Sequence, residues 1–219
     1  MSEILELSGP ELQPATGGDP ETLVILLHGY GADGNDLIGL APHLARVLPK
    51  AHFVSPNAPY PCEMGFGYQW FSIQNQDPVH RLEQIRGAAQ ILNAFIDGEL
   101  ERHGLSDERV ALVGFSQGTM MSLFTAPRRE TPCAGIMGYS GRMESPELLE
   151  SEIKSRPPVV LVHGDRDELL PLPLLDQAAA TLQASGVEVE THVRPGLGHG
   201  IDEVGLQIGM QFLGKILGA

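Results

Sequence analysis

A serine, a carboxylate and a histidine on three separate turns could together make a nucleophile, and this chain carries such a set, spread over its second half. Gly114-Phe115-Ser116-Gln117-Gly118 follows the β-rich run 109–113 and precedes the helix-forming stretch 119–124. That context puts Ser116 on a strand-to-helix turn. The backbone at such an elbow is strained, and its flanks must lack bulk so that helix and strand can approach and lift the hydroxyl above a sheet. Glycine fits both flanks. In a chain with 26 glycines the five-residue pattern alone has little weight. Its position, between a strand end and a helix stopped by Pro127, is what distinguishes it.

A serine hydroxyl is a poor nucleophile near neutrality, so it needs a base and a group that orients the base. Both are expected on turns after later strands. The turn 163–171 carries Asp165, Asp167 and Glu168 at the end of an apolar run, and the acid is expected there. The glycine-rich segment Arg194-Pro195-Gly196-Leu197-Gly198-His199-Gly200 follows another strand pattern and makes His199 the expected base. His43, His52, His80, His103 and His192 have no companion signal and read as ordinary core or surface residues. His28 and His163 precede glycine at strand ends and read as partners for loop backbone, although position alone leaves both open as the base. A developing oxyanion needs two backbone donors: the N–H of Gln117 and one from the glycine-rich loop within 26–34. No Gly-Lys-Ser/Thr follows His28-Gly29-Tyr30-Gly31, so this is not a phosphate loop.

Positioning these groups calls for a sheet. Strand patterns at 22–27, 51–55, 109–113, 134–139, 158–163 and 187–193 alternate with helical ones, which predicts an α/β fold with a central, mostly parallel sheet and helices on both faces. Several strands are continuously apolar, as strands covered on both sides are. Leu82, Ile85, Ala89, Leu92, Ile96 and Leu100 mark a long helix that Gly104 should stop. Residues 37–48 and 172–182 predict further helices, and Val204, Ile208, Phe212 and Ile216 mark the face of a last one. Residues 1–21, with Ile4-Leu5-Glu6-Leu7 and a turn at Gly17-Gly18, suit an antiparallel edge strand or hairpin. The proline- and aromatic-rich stretch 56–78 reads as a loop whose aromatics either plug a satellite core or face substrate.

A chain of 219 residues can bury a full core as one domain, 1–219, without disulfides or a structural metal. Its 28 acidic residues against 14 basic ones give a net charge of -14, which argues against nucleic acid or anionic membrane as a partner. The opening Met1-Ser2-Glu3-Ile4-Leu5-Glu6 has neither a basic region nor a long apolar stretch, predicting a cytoplasmic protein with no stable membrane insertion. Cys62 and Cys133 have no redox or metal spacing. Cys133 is expected in the core and Cys62 partly exposed in its loop, neither as nucleophile. No cofactor and no metal is expected.

With those pieces in order, Leu27-His28-Gly29-Tyr30-Gly31, Trp70-Phe71-Ser72-Ile73, the elbow around Ser116, His163-Gly164-Asp165-Arg166-Asp167 and Gly196-Leu197-Gly198-His199 resemble the phospholipase/carboxylesterase family of α/β-hydrolases, which includes bacterial carboxylesterases and acyl-protein thioesterases. The resemblance implies an α/β-hydrolase fold. It makes Ser116 the nucleophile, Asp167 rather than Asp165 the acid, His199 the base, and the backbone N–H groups of Tyr30 and Gln117 the oxyanion donors. The chain leaves little room for a separate cap domain, so Trp70, Phe71 and Leu169 should border a rather open substrate groove. Departures are Ser72, where many relatives have aspartate, Thr119 in place of a second glycine after the elbow, and Gly200 in place of serine. The implied activity is hydrolysis of short to medium acyl esters through an acyl-enzyme, with a small-molecule ester or thioester as partner. Lysophospholipase or acyl-protein thioesterase activity is the alternative within the same chemistry. A non-catalytic ligand-binding protein is the alternative of another class, disfavoured because all three roles are filled. A homodimer is suggested by the resemblance alone.

Overall fold

The computed structural model describes residues 5–75 and 77–218. Strand β1 (Glu11–Leu12) leads to β2 (Thr22–Leu27), helices α1 (Gly34–Ile38) and α2 (Ala41–Leu44), β3 (Ala51–Val54), the small hairpin β4 (Tyr60–Pro61) and β5 (Tyr68–Gln69), and the long helix α3 (Pro78–His103). The second half runs β6 (Val110–Phe115), α4 (Gln117–Thr125), β7 (Gly135–Tyr139), α5 (Leu149–Glu152), β8 (Val159–Gly164), α6 (Pro173–Ala184), β9 (Val189–Arg194) and α7 (Glu203–Leu217). The main sheet has the order β1-β3-β2-β6-β7-β8-β9. Only β1, on β3, is antiparallel.

The continuous apolar runs are explained by two cores, one on each face of the sheet. Successive strand side chains point to opposite faces. Leu23, Ile25 and Leu27 of β2 therefore join α3, α4 and α6 in one buried cluster. Val24 and Leu26 join α1, α2 and α7 in the other. The edge strand β9 is mostly solvent-facing and carries Glu190 and His192, charge that discourages pairing with another chain. Helix α3 starts at Asp77, whose side chain caps the Val79 N–H, and stops at Gly104 in the left-handed region, φ 63°. Among the described residues, no helix is long and apolar enough to cross a membrane.

The expected antiparallel edge strand within 1–21 is present, and three other expectations need correction. The helix expected over 37–48 is two short ones, because Gly39 and Pro42 interrupt it. The antiparallel edge strand is formed by Glu11 and Leu12; Ile4 lies outside the described residues. In α7 the buried stripe is Gly205, Gly209, Leu213 and Leu217, and Val204 is exposed. Glycine contributes nothing to an apolar pattern, yet a Cβ at Gly209 would lie 2.1 Å from the Tyr139 hydroxyl, so α7 must present bare backbone there. Cys62 is buried rather than partly exposed, as is Cys133, whose thiol is pushed up to about 12 by burial.

Candidate active site

The strand order brings the turns after β2, β6, β8 and β9 to one end of the sheet. There Gly29, Tyr30, Phe71, Ser116, Gln117, Leu169 and His199 share a cavity of about 500 Å³. This is the end at which α/β sheets place their ligands.

Ser116 passes the chain from β6 to α4 at φ 53° and ψ -115°, a conformation that costs a non-glycine residue on the order of 1–3 kcal/mol. Packing holds it there. The Ser116 N–H donates to the Tyr139 carbonyl at 2.9 Å, and every residue of α4 is buried. A Cβ at Gly118 would stand 1.8 Å from the Leu27 carbonyl oxygen, and one at Gly114 would stand 2.4 Å from the Thr119 nitrogen. Both flanks thus exclude any side chain. Thr119, one residue past the elbow's second glycine, finds its space elsewhere. A Cβ at Gly138 would come within 2.6 Å of its methyl and one at Gly141 within 2.4 Å, while its hydroxyl donates to the Tyr139 carbonyl at 2.8 Å.

Asp167 and His199 meet across the β8 and β9 turns, Nδ1 to Oδ2, at 2.7 Å. The Asp167 side chain is wholly buried, and its other oxygen accepts the N–H groups of Leu169 at 3.0 Å and Leu170 at 2.8 Å. With Nδ1–H committed to the carboxylate, the lone pair of Nε2 is left for a hydroxyl proton. The Phe115 ring packs against the imidazole at 5.0 Å between centroids. Asp165 does not reach His199; it accepts the Gly196 N–H at 2.6 Å and shapes the base loop instead.

The two histidines left open by sequence are buried and off the cavity. His163 meets the Leu170 carbonyl through Nε2 at 2.7 Å. His28 accepts the Ala58 N–H on Nε2 at 2.9 Å, so its Nδ1–H donates to the Gly29 carbonyl at 2.7 Å. Burial holds His28 below the ordinary imidazole value. It props the loop that carries Tyr30. The adjoining Gly31 takes φ 78° and gives its N–H to the Tyr68 carbonyl at 2.9 Å.

Of the expected border residues, Phe71 and Leu169 line the cavity, and Leu169 is 72% exposed. Trp70 does not line it. It is fully buried, and its indole N–H donates to the His28 carbonyl at 3.0 Å. It braces the loop that carries Tyr30 from behind. The Gln117 side chain fixes the same segment, accepting the Trp70 N–H at 2.8 Å and donating to the Phe71 carbonyl at 2.7 Å. One residue thus lines the cavity at the first turn of α4 and anchors the cavity wall with its amide.

Three further residues escaped the sequence reading. Glu63 accepts the Tyr30 hydroxyl at 2.9 Å and the Ile73 N–H at 3.1 Å on one oxygen, and the Ser72 hydroxyl at 2.7 Å on the other. Burial opposes its charge, but the bonds from Ser72, Tyr30 and Ile73 prevail and hold it below the usual carboxylate range. Ser72 thereby becomes a tether for the rim. Arg81 and Arg142 both line the cavity. Arg142 is paired with Glu144 at 2.7 Å, whereas the Arg81 Nε is buried with no hydrogen-bond partner. Only a carboxylate at Ser72's position would have flagged this polar rim, and α3's periodicity gives no hint that Arg81 faces the cavity.

A mostly parallel sheet between two helical layers, with the candidate machinery on turns at the strand ends and no separate cap among the described residues, is an α/β-hydrolase fold. The sequence profile described as Phospholipase/Carboxylesterase matches residues 14–217, and the chain belongs to that family. It is similar to a solved structure of esterase PE8, 40% identical, covering 97% of this chain and 100% of that one with a TM-score of 0.92. It is also similar to esterase YpfH of Escherichia coli, 25% identical over 193 residues, covering 88% of this chain and 82% of that protein. Acyl-protein thioesterase 1 of Debaryomyces hansenii is 24% identical over 219 residues, covering 93% and 94%.

Proposed function

We propose that this chain is a serine carboxylesterase. Ser116 attacks the carbonyl of a short to medium acyl ester, and His199 takes its proton and then protonates the leaving alcohol. Water hydrolyses the acyl-enzyme by the same relay. Asp167 stays ionised and stabilises the imidazolium. The backbone N–H groups of Tyr30 and Gln117 receive the oxyanion, each contributing about 3 kcal/mol to barrier lowering. The observation that carries this reading is the 2.7 Å contact between His199 and a buried Asp167, in a cavity shared with Ser116 on its strained elbow.

The cavity wall of Phe71, Ile73, Met120 and Leu169 is apolar and suits an acyl chain. Each methylene that enters gains about 0.8 kcal/mol, so kcat/KM should climb about fourfold per added carbon until the groove is full. Thioester hydrolysis is the second reading, favoured by similarity to proteins named acyl-protein thioesterase 1. The unpaired Arg81 favours substrates with an anionic group near the scissile bond, lysophospholipids among them.

The test is a panel of neutral and anionic esters and thioesters of graded length, run on wild type, Ser116→Ala and Arg81→Gln. Ser116→Ala should lose activity by a factor on the order of 10⁴ or more throughout. Activity that survives it removes the serine mechanism. Arg81→Gln should slow only the anionic members, and a uniform effect removes that specificity.

A further inference from the structure

His52 and His103 read in the sequence as ordinary core or surface residues, but the fold gathers them with Glu99 far from Ser116. His52 on β3 sits opposite Leu23 near the starts of the strands, whereas Ser116 follows the end of β6. Glu99 and His103 lie one turn apart at the end of α3. One donor atom from each of the three residues falls within 4.8 Å of the other two.

Their hydrogen bonding is incomplete. His52 is fully buried, and neither of its ring nitrogens has a hydrogen-bond partner; the buried Nε2 of His103 has none either. The two rings stand 4.5 Å apart. Carboxylate oxygens are near, Glu99 at 3.5 Å from His103 Nε2 and Glu11 at 3.4 Å from His52 Nε2, yet neither makes a hydrogen bond. Buried polar atoms in folded proteins almost always find a partner, so three without one in one place call for an absent partner.

We propose that His52, Glu99 and His103 bind one zinc ion. Two neutral imidazoles and a carboxylate are a donor set that zinc accepts, and magnesium and calcium, which prefer oxygen alone, do not. Tetrahedral bonds of about 2.0 Å put donors about 3.3 Å apart, a spacing the His103–Glu99 pair already approaches, and ring rotation closes the rest. Arg102 is the competing cation. It is held by Glu11 at 2.7 Å and reaches both Glu99 oxygens only at long range, Oε1 at 3.4 Å and Oε2 at 3.5 Å, so a metal would compete with weak contacts there. Water or Glu11 completes the shell. The ion would join the sheet edge formed by β1 and β3 to the end of α3, a structural role separate from ester hydrolysis.

The untagged chain, stripped with a chelator, is titrated with zinc and separately with calcium, with metal content, thermal midpoint and the anomalous signal of a zinc-soaked crystal as readouts. One equivalent of zinc, a raised midpoint, and anomalous density between His52 and His103 are expected, with calcium inert. His103→Gln and Glu99→Gln, each checked for native circular dichroism and wild-type ester hydrolysis, should each lose the uptake and the shift. A water in place of the metal, uptake retained in either variant, or an equal response to calcium overturns the proposal.

Discussion

The elbow and the rim of the cavity are built on opposite plans. At the elbow, backbone touches backbone: Gly118 leaves no space against the Leu27 carbonyl, and Ser116 is pinned in a disfavoured conformation by a fully buried helix. At the rim, side chains hold side chains. Glu63 alone ties Tyr30, Ser72 and Ile73, and beyond it Ile73 and Leu169 stand exposed. The difference separates two tasks. On the proposed function, geometry for bond-making is enforced by contacts that no substitution can relax gently, whereas geometry for substrate choice rests on hydrogen bonds that exchange one residue at a time.

The contrast predicts a ranking. Asp167→Asn should have the largest effect: its amide N–H₂ would face the His199 nitrogen that now donates, shifting the proton to Nε2 and disabling the base. Turnover should fall by a factor on the order of 10⁴ with the thermal midpoint nearly kept, as steady-state kinetics beside calorimetry would show. Gly118→Ala should act on folding itself, losing about 3 kcal/mol or more in urea unfolding, because its Cβ meets main chain that cannot step aside. A tolerated Gly118→Ala would break the comparison. Glu63→Gln should be milder, raising KM by about 10-fold with kcat nearly unchanged, about 1.4 kcal/mol of uniform binding. An equal loss in kcat would mean that the rim also aligns the oxyanion loop.

The smallest effect should come from pH. His28 is kept neutral in the fold, below the ordinary value of 6.5. On acidification the unfolded chain takes up a proton there before the folded one does. Stability should therefore decline as pH drops through 6.5 toward the lower folded value, and His28→Gln should flatten that slope in urea midpoints.

Sequence made the elbow legible because chemistry and backbone constraint coincide at Gly114, Ser116 and Gly118 within five positions. The strands β2, β6 and β8 were equally plain, since burial on both faces leaves an uninterrupted apolar run. Resemblance, not spacing, distinguished Asp167 from Asp165, for both lie on the same turn and only three-dimensional direction separates them. The rim was hidden. Trp70 and Phe71 are neighbours in an aromatic loop, yet one faces the interior and the other the cavity, a partition that no periodicity encodes outside a regular element. Glu63 and Arg81 act across the fold, where sequence distance carries no information. The offset of α7 has a different cause: glycines chosen for closeness are invisible to a pattern built on hydrophobicity.

Thr119 occupies room that Gly138 and Gly141 concede from β7 and the turn beyond it. These three positions are sterically linked: a side chain can enter at 138 or 141 only after the threonine shrinks, and shrinking the threonine alone leaves a void beneath the elbow. Lineages should exchange the trio together or not at all.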